Sequence, residues 1–315
     1  MANVQTLSQK KRASSLSKDM RRDYQLYLMI IPAAILIIMF MYVPMTGLVI
    51  AFKEYRIGQG MYGGSAWVGF QNFTRLFQDM FFVRAFRNTL IIAFMRIIVC
   101  LPGAIILSLL LFQAYTKYLR GIVQTLVYIP RFISWVIVAA VTIMFLHPNQ
   151  GMNSILGDLG AQSITMSNPD QFRYILVAAD LWKDVGFNSV LFTAAIMNID
   201  PTLFESAEID GAHRGHIVWY IILPMIRNTI IVVLVLWVAA IVNVGFDQVF
   251  NMINRAVVST GEIIDTFIFR IAFGSASQNF SLAAAAGLIK SVIAIILLTG
   301  AEIFARSIGE KAVFK

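Results

Sequence analysis

Long apolar stretches alternate with short polar ones along almost the whole chain after residue 23. The first, from Tyr24 to Phe52, contains no charged residue, and five more follow at 88–112, 121–146, 172–199, 228–246 and 281–303. A helix crosses a bilayer with about 20 apolar residues, so each stretch is long enough to be a span. Because backbone groups in hydrocarbon must bond internally, the pattern predicts an all-α polytopic membrane protein with six transmembrane helices.

The polar ends of the spans indicate their orientation. The first 23 residues contain a cluster of basic residues: Lys10, Lys11, Arg12, Lys18, Arg21 and Arg22. Basic segments stay on the cytoplasmic side, so counting the spans places 53–87, 147–171 and 247–280 outside. We therefore expect a multi-pass protein of the cell membrane with cytoplasmic tails at 1–23 and 306–315 and a transmembrane domain at 24–305.

Two of the external segments differ in character. Segment 53–87 is amphipathic and carries a set of large apolar side chains: Trp67, Phe70, Phe73, Leu76, Phe77 and Phe81. These suit a helix lying in the membrane interface, although a cap that contacts substrate remains an alternative. Segment 147–171 is rich in Gly, Asn and Ser, which predicts an exposed turn region.

Composition agrees with a membrane protein and gives no sign of catalysis. The chain is 58% hydrophobic and 13% charged, and its formal charge of +8 comes largely from residues that flank spans. That distribution indicates topology rather than nucleic-acid binding. The single cysteine and three histidines show no metal-ligand spacing, and no phosphate-binding G-x-x-x-x-G-K-[ST] occurs. We expect no metal and no cofactor in this chain, so any energy for pumping must come from another subunit.

The polar block between the fourth and fifth spans is the most informative segment. Segment 202–212 contains good helix formers behind Pro201, and Gly211 permits a sharp turn. Residues 213–222 can form a second short helix before Pro224. The apolar residues Leu203, Ala207 and Ile209 could seat the first helix on a partner or on the spans. Taken alone, the residues also allow a loop that only joins two spans.

The spacing E-x-A-x-x-D-G-A, then nine residues, then I-L-P resembles the cytoplasmic coupling loop of binding-protein-dependent ABC importer permeases. The resemblance implies a type I importer permease fold and a coupling loop at 200–227 that docks on a separate ATPase. It assigns the ATPase-coupling motif to Glu205, Ala207, Asp210, Gly211, Ala212 and Pro224. Ser206 departs from the family, which more often has Ala there.

The same resemblance implies the partners. They are a second, related permease subunit, two ATP-binding subunits that hold ATP and Mg, and an external solute-binding protein. No nucleic acid is implied.

Four further segments are similar to polysaccharide-type sugar permeases: YIPRFISW at 128–135, FDQVFN at 246–251, IIDT at 263–266 and AGLIKS at 286–291. The resemblance implies import of a carbohydrate, in particular an oligosaccharide. Arg131 departs from the pattern, because the family more often has His at that position.

Charged residues inside the spans are costly and face protein, water or a partner. They are Arg96, Arg131, Asp180, Lys183, Asp184 and Lys290. Asp180 and Lys183 could neutralise each other on one helical face, as could Asp180 and Asp184 with a nearby cation, which is a packing interpretation. The functional interpretation is a polar substrate path made of Arg131, Trp135, Asp180, Trp182, Lys183, Asn188, Asn243, Asp247 and Asn251. The excess of basic groups suggests an anionic substrate, such as a uronic-acid oligosaccharide.

Two other functions compete with the importer permease. A secondary transporter driven by an ion gradient would show inverted repeats and acids near the midplane, for which only Asp180 and Asp184 are candidates. A membrane-embedded enzyme would need a nucleophile and base or a metal cluster, and the sequence contains no evident one. The interpretation as an importer permease accounts for more of the motif residues named above than either alternative does.

Overall fold

A computed structural model describes residues 23–114, 116–148, 151–240, 245–274 and 278–307. The predicted path residue Asn243 and most of both predicted tails lie outside these ranges. The chain divides into two compact units, Met1–Gly69 and Phe70–Lys315. Each is described by itself.

The first unit contains the predicted first span as helix α1, Tyr24–Phe52, whose most apolar part has a mean hydropathy of 2.6. A π-helical turn, Ile38–Tyr42, widens the helix just before Pro44. Proline has no backbone N–H to donate, so a local change in helix geometry is expected there. Beyond α1, the ring of Trp67 stacks on Phe52 with centroids 5.7 Å apart.

The regular structure of the second unit is helical, and no strand occurs in any of the described ranges. Its helices are α2 Gln71–Gln78, α3 Met80–Phe112, α4 Lys117–Tyr128, α5 Trp135–Phe145, α6 Met152–Asp158, α7 Pro169–Met197, α8 Pro201–Ile209, α9 Arg214–Met225, α10 Arg227–Ala239, α11 Phe246–Met252, α12 Val258–Gly261, α13 Ile264–Phe273 and α14 Phe280–Ser307. A 3₁₀ turn, Ile129–Phe132, continues α4.

The helices that could cross a membrane account for five of the six predicted spans. Within the described ranges, three helices are long and apolar enough to cross a membrane, namely α1, α3 and α14. Two bent pairs, α4 with α5 and α9 with α10, bring that number to as many as five. Helix α7 is 29 residues long but carries charged residues near its middle. All six predicted stretches fall mainly on helices, and the all-α polytopic fold is confirmed.

The prediction that every span is one continuous helix was wrong for two of them. The third is broken between Phe132 and Trp135, where the chain bends by 103°. Pro130 cannot donate a backbone hydrogen bond, and Ser134 accepts from the Ile137 amide to begin α5. The fifth, predicted to reach Phe246, ends as a helix at Ala239, and Phe246 instead begins α11.

Helix α3 packs along α7 to form the centre of the second unit. Gly103 allows this approach, since a Cβ there would lie 2.7 Å from the Leu181 side chain. At the end of the bundle opposite residues 200–227, the Asn88 amide donates to the carbonyls of Ser259 and Glu262 at 3.1 and 3.0 Å. These bonds fix the segment between α12 and α13 to α3.

The segments predicted to be external are more ordered than their composition suggests. Only Gln71–Gln78 forms the amphipathic helix, and it buries Leu76 against the bundle. In segment 147–171, the buried Asn153 amide donates to the carbonyls of Leu146 and Ile164 at 2.9 and 2.8 Å. One buried amide therefore organises a stretch that the sequence indicated as simple turns.

Candidate functional site

Segment 200–227, the predicted coupling loop, begins with a helix that is fixed at its first residue. Pro201 takes the first helical position of α8, and the Asp200 carboxylate accepts from the Thr202 amide at 3.0 Å. That backbone hydrogen bond lowers the pKa of Asp200 below its ordinary value. A lowered folded-state pKa means that the cap contributes stability above the ordinary pKa and loses it as the pH falls through the folded value. The cap is therefore complete at neutral pH.

We expect Asp200→Ala to loosen the first turn of α8, because an alanine cannot accept from the Thr202 amide. In hydrogen exchange of the purified complex, the amides of Thr202 and Leu203 should exchange faster than in the wild type. Asp200→Asn keeps a cap oxygen and should leave the exchange unchanged. Equal exchange in all three proteins would contradict this role of Asp200.

Helix α8 ends in a Schellman turn that accounts for the spacing of the motif. The Ala212 amide donates to the Ala207 carbonyl at 2.9 Å, and the Gly211 amide donates to the Glu208 carbonyl at 3.1 Å. Gly211 has a φ of +77°, the left-handed conformation that this turn requires. The positions Ala207, Gly211 and Ala212 of the motif thus form one hydrogen-bonded unit.

A second helix follows this turn directly. The His213 imidazole Nδ1 accepts from the amides of Gly215 and His216 at 3.1 and 3.3 Å, and α9 starts there. Its middle is a π-helical segment, Ile217–Ile222, just before Pro224. The missing N–H of proline favours this irregularity, and the axis then bends by 61° into α10. The predicted short helix is present, and it extends through Pro224.

One face of α8 is attached to the bundle and the other is free of it. The Phe204 ring packs on Phe112 with centroids 5.4 Å apart, within an apolar cluster that includes the buried Ile222. Ile209 is 87% exposed, and Leu203 is also exposed. The residues predicted to seat the helix were Leu203, Ala207 and Ile209. Phe204 was not among them, although it directly precedes the motif residue Glu205. The exposed Ile209 therefore leaves an apolar surface available for a partner.

The break between α4 and α5 brings several predicted path residues together. The Arg131 guanidinium donates to the Asp184 carboxylate at 2.7 Å and lies 5.1 Å from the centre of the Phe187 ring. The buried Lys183 ammonium donates to the carbonyls of Pro130 and Arg131 at 3.3 and 2.7 Å. It also lies 5.4 Å from the Trp135 ring. This cluster occupies the middle of α7.

The predicted pairing of Asp180 with Lys183 was wrong, because each has another partner. Asp180 lies 3.7 Å from the Arg96 guanidinium, and the Cys100 thiol lies 3.6 Å from its carboxylate. Arg96 also donates to the buried Gln248 side-chain carbonyl, whose amide nitrogen donates to the Leu176 carbonyl at 2.7 Å. The sequence did not identify Gln248, because its partners are more than 70 positions away.

The remaining predicted path residues in the described ranges lie on α7 and α11. Trp182 lines an apolar pocket of about 590 Å³ between α5 and α7. Asn188 is half-buried, one turn beyond Asp184 on the same face of α7. On α11, Asp247 is exposed, and its backbone carbonyl accepts from the side-chain amide of Asn251 at 2.7 Å.

Comparison with known sequences places the chain among transport proteins. Residues 101–310 match the family described as "Binding-protein-dependent transport system inner membrane component". Protein LplB of Bacillus subtilis (strain 168) is 37% identical over 297 residues, covering 94% of this chain and 92% of that protein. The polygalacturonan/rhamnogalacturonan transport system permease protein YteP of the same organism is 35% identical over 306 residues, covering 96% and 94%.

The fold agrees with the sequence comparison. One chain of a crystal structure of a bacterial alginate ABC transporter, in complex with an alginate pentasaccharide-bound periplasmic protein, superimposes with a TM-score of 0.85. It is 37% identical, and the match covers 94% of this chain and 99% of that one. Family, relatives and fold agree over nearly the whole length, and the chain belongs to the family of inner membrane components of binding-protein-dependent transport systems.

Proposed function

We propose that this chain is a permease subunit of an ATP-driven importer and forms half of a transmembrane pathway for an oligosaccharide. The observation that carries the proposal is the coupling loop, a helix fixed at both ends that presents an exposed apolar residue. The family assignment favours an importer that depends on a binding protein over a secondary transporter driven by an ion gradient.

The substrate class is supported by the relatives. The name of YteP specifies transport of polygalacturonan and rhamnogalacturonan, and the similar crystal structure is that of an alginate transporter. Both are carbohydrate transporters, and both resemble this chain along more than nine-tenths of its length. An oligosaccharide is therefore the substrate class that we assign to this permease.

The proposed assembly contains a second permease subunit, two ATP-binding subunits and an external solute-binding protein. A single bundle cannot enclose a route, so a second half is required. Because the sequence contains no phosphate-binding G-x-x-x-x-G-K-[ST], we assign ATP and Mg to the ATPase subunits and no catalytic step to this chain. Closure of the two ATPases would move the coupling loops of both halves and switch the path between outward and inward access.

The coupling loop also sets the proposed orientation. It must face the cytoplasm to meet an ATPase that uses cellular ATP, so both termini lie on that side of the cell membrane. In the path, Arg131, Asn188 and Asp247 are polar candidates for direct contact with substrate and Trp182 is an apolar one, because their side chains are not fully enclosed. Asp180 and Lys183 act through packing, since each is bound to groups of this chain.

Substitution of Ile209 tests the proposal. We expect Ile209→Asp to abolish co-purification of the ATPase, because a charge would replace the exposed apolar side chain that enters the partner. The measurement is the amount of ATPase recovered with the tagged permease, together with ATPase activity stimulated by substrate-loaded binding protein.

Ile155→Asp is the matched control, since it makes the same change at an exposed isoleucine on α6, far from the coupling loop. It should leave the recovery of ATPase unchanged. Full recovery with Ile209→Asp would contradict the proposed docking, and transport by the chain alone would contradict the proposed function.

A further inference from the structure

The break between α4 and α5 places Arg131 at the middle of the helical bundle. Its partner Asp184 lies 15 residues after Pro169 and 13 residues before Met197, the two ends of α7. At a rise of about 1.5 Å per residue, it is about 20 Å from either end. An ion pair at this depth lies far from both membrane surfaces.

The break is a built feature rather than a frayed helix end. The buried Lys183 ammonium donates to the carbonyls of Pro130 and Arg131 where the helix stops, and the Pro130 carbonyl also accepts from the Ile133 amide at 3.1 Å. On the next turn of α7, Gly186 lets the Val127 carbonyl approach so closely that a Cβ would lie 2.0 Å from it. Both contacts fix the backbone from which the Arg131 side chain extends.

The Arg131 side chain retains unused donors. It is 45% exposed, and its contacts within the described ranges are one hydrogen bond to Asp184 and the face of Phe187. A guanidinium has five N–H donors in a planar fork, so one edge remains available. By contrast, Arg96 and Lys290 are only 14% and 18% exposed and lie against Asp180 and Asp265.

Exposure of this kind excludes a lipid environment. An arginine near the bilayer centre is costly in hydrocarbon and is found against water or protein. The free edge of Arg131 therefore faces either a water-filled route or another protein surface. The exposed Phe187 ring beside it offers a flat apolar face of the kind on which a sugar ring can rest.

The local charge favours an anion. Arg131 and Lys183 contribute two positive charges, Asp184 contributes one negative charge, and Asp180 is engaged by Arg96. The cluster at the break is left with one net positive charge. The excess of basic residues over all the spans supports an anionic substrate less strongly than this local charge does, because Arg96 and Lys290 already have carboxylate partners.

We propose that Arg131 is a specificity-determining residue that binds the carboxylate of an acidic sugar unit through its free edge, with the ring resting on Phe187. Lys183 and Gly186 are positioning residues that hold the break. A planar guanidinium matches a carboxylate with two parallel hydrogen bonds, which a neutral hydroxymethyl group cannot provide. This inference rests on the proposed function, because it assigns the substrate class of the same path.

The test measures binding to the permease–ATPase complex in nanodiscs without the binding protein, whose own selectivity would otherwise dominate. The probes are fluorescently labelled trigalacturonate and its methyl ester, which share rings and linkages and differ in charge and in the small ester methyl groups. We expect the wild type to bind the acid at least about tenfold more tightly, as for a hydrogen bond to a charged group. Arg131→Gln should remove this preference, and Arg131→Lys should keep part of it.

Arg270→Gln is the matched control. The Arg270 side chain is 47% exposed, close to the value for Arg131, and it also pairs with a carboxylate and lies 5.2 Å from an aromatic ring, that of Phe267. It differs in donating two hydrogen bonds to its carboxylate, that of Glu262, at 2.7 and 3.2 Å. This variant should keep the full preference for the acid. Recovery of the ATPase subunits with each variant verifies its folding.

Three results would overturn the role of Arg131: no binding or no charge preference in the wild type, equal weakening of both probes in Arg131→Gln, or an unchanged preference in that variant. Uptake of oligosaccharides with the binding protein present would, in each of these cases, leave the proposed function standing. Failure of every carbohydrate to be imported would instead overturn the proposed function itself.

Discussion

Gly211→Val is expected to abolish transport while the chain still inserts into the membrane. Gly211 has a φ of +77°, and a Cβ placed there would meet nothing within 4 Å. The effect is therefore one of backbone conformation and not of packing. A residue with a side chain loses about 1–2 kcal/mol in the left-handed region, and a β-branched one is a true outlier there. Valine should break the Schellman turn and misdirect both helices of the coupling loop.

The measurement is substrate uptake by cells that carry each variant, with the amount of inserted permease determined in membrane fractions. Gly211→Asn is the control, because asparagine tolerates the left-handed conformation better than other residues with a side chain. We expect it to retain much of the wild-type uptake. Normal uptake with Gly211→Val, or equal loss with both variants, would refute the conformational explanation.

The coupling loop could be predicted in detail because its structure is local. The Schellman turn and the His213 cap join residues at most five positions apart, and glycine and proline indicate such turns in any sequence. The attachment of Phe204 to Phe112 was not predicted, since it depends on a contact across 92 positions. Local chemistry thus specified the shape of the loop, and tertiary packing specified which face remained exposed.

The interior of the bundle shows the opposite case. The sequence indicated that charged residues in the spans must be neutralised, but it could not identify the partners. Arg96 meets Asp180 and Gln248, and Lys290 meets Asp265, through contacts that depend on how separate helices pack. Hydropathy also missed the break in the third span, because apolar residues continue on both sides of it. Pro130 was the available signal for the break.

Gly186→Ala is expected to prevent correct assembly of the permease, although it adds only one methyl group. The added Cβ would lie 2.0 Å from the Val127 carbonyl oxygen and 2.6 Å from its carbon, both of which are backbone atoms. A backbone cannot move aside as the end of a side chain can, so α4 and α7 would have to separate. Such separation would also remove the hydrogen bonds of Lys183 to the carbonyls at the break. Overpacked cores lose about 1–3 kcal/mol, and more where the neighbour is rigid.

Gly287→Ala is the matched change in α14, where a Cβ would meet nothing within 4 Å. Alanine is favoured over glycine in a helix by about 1 kcal/mol, so this variant should be as stable as the wild type or more so. The measurement is the thermal unfolding of each purified complex and its yield after detergent extraction. A large fall in both for Gly186→Ala, with none for Gly287→Ala, is the expected result. Equal behaviour of the two variants would mean that close contact between α4 and α7 does not hold the break in place.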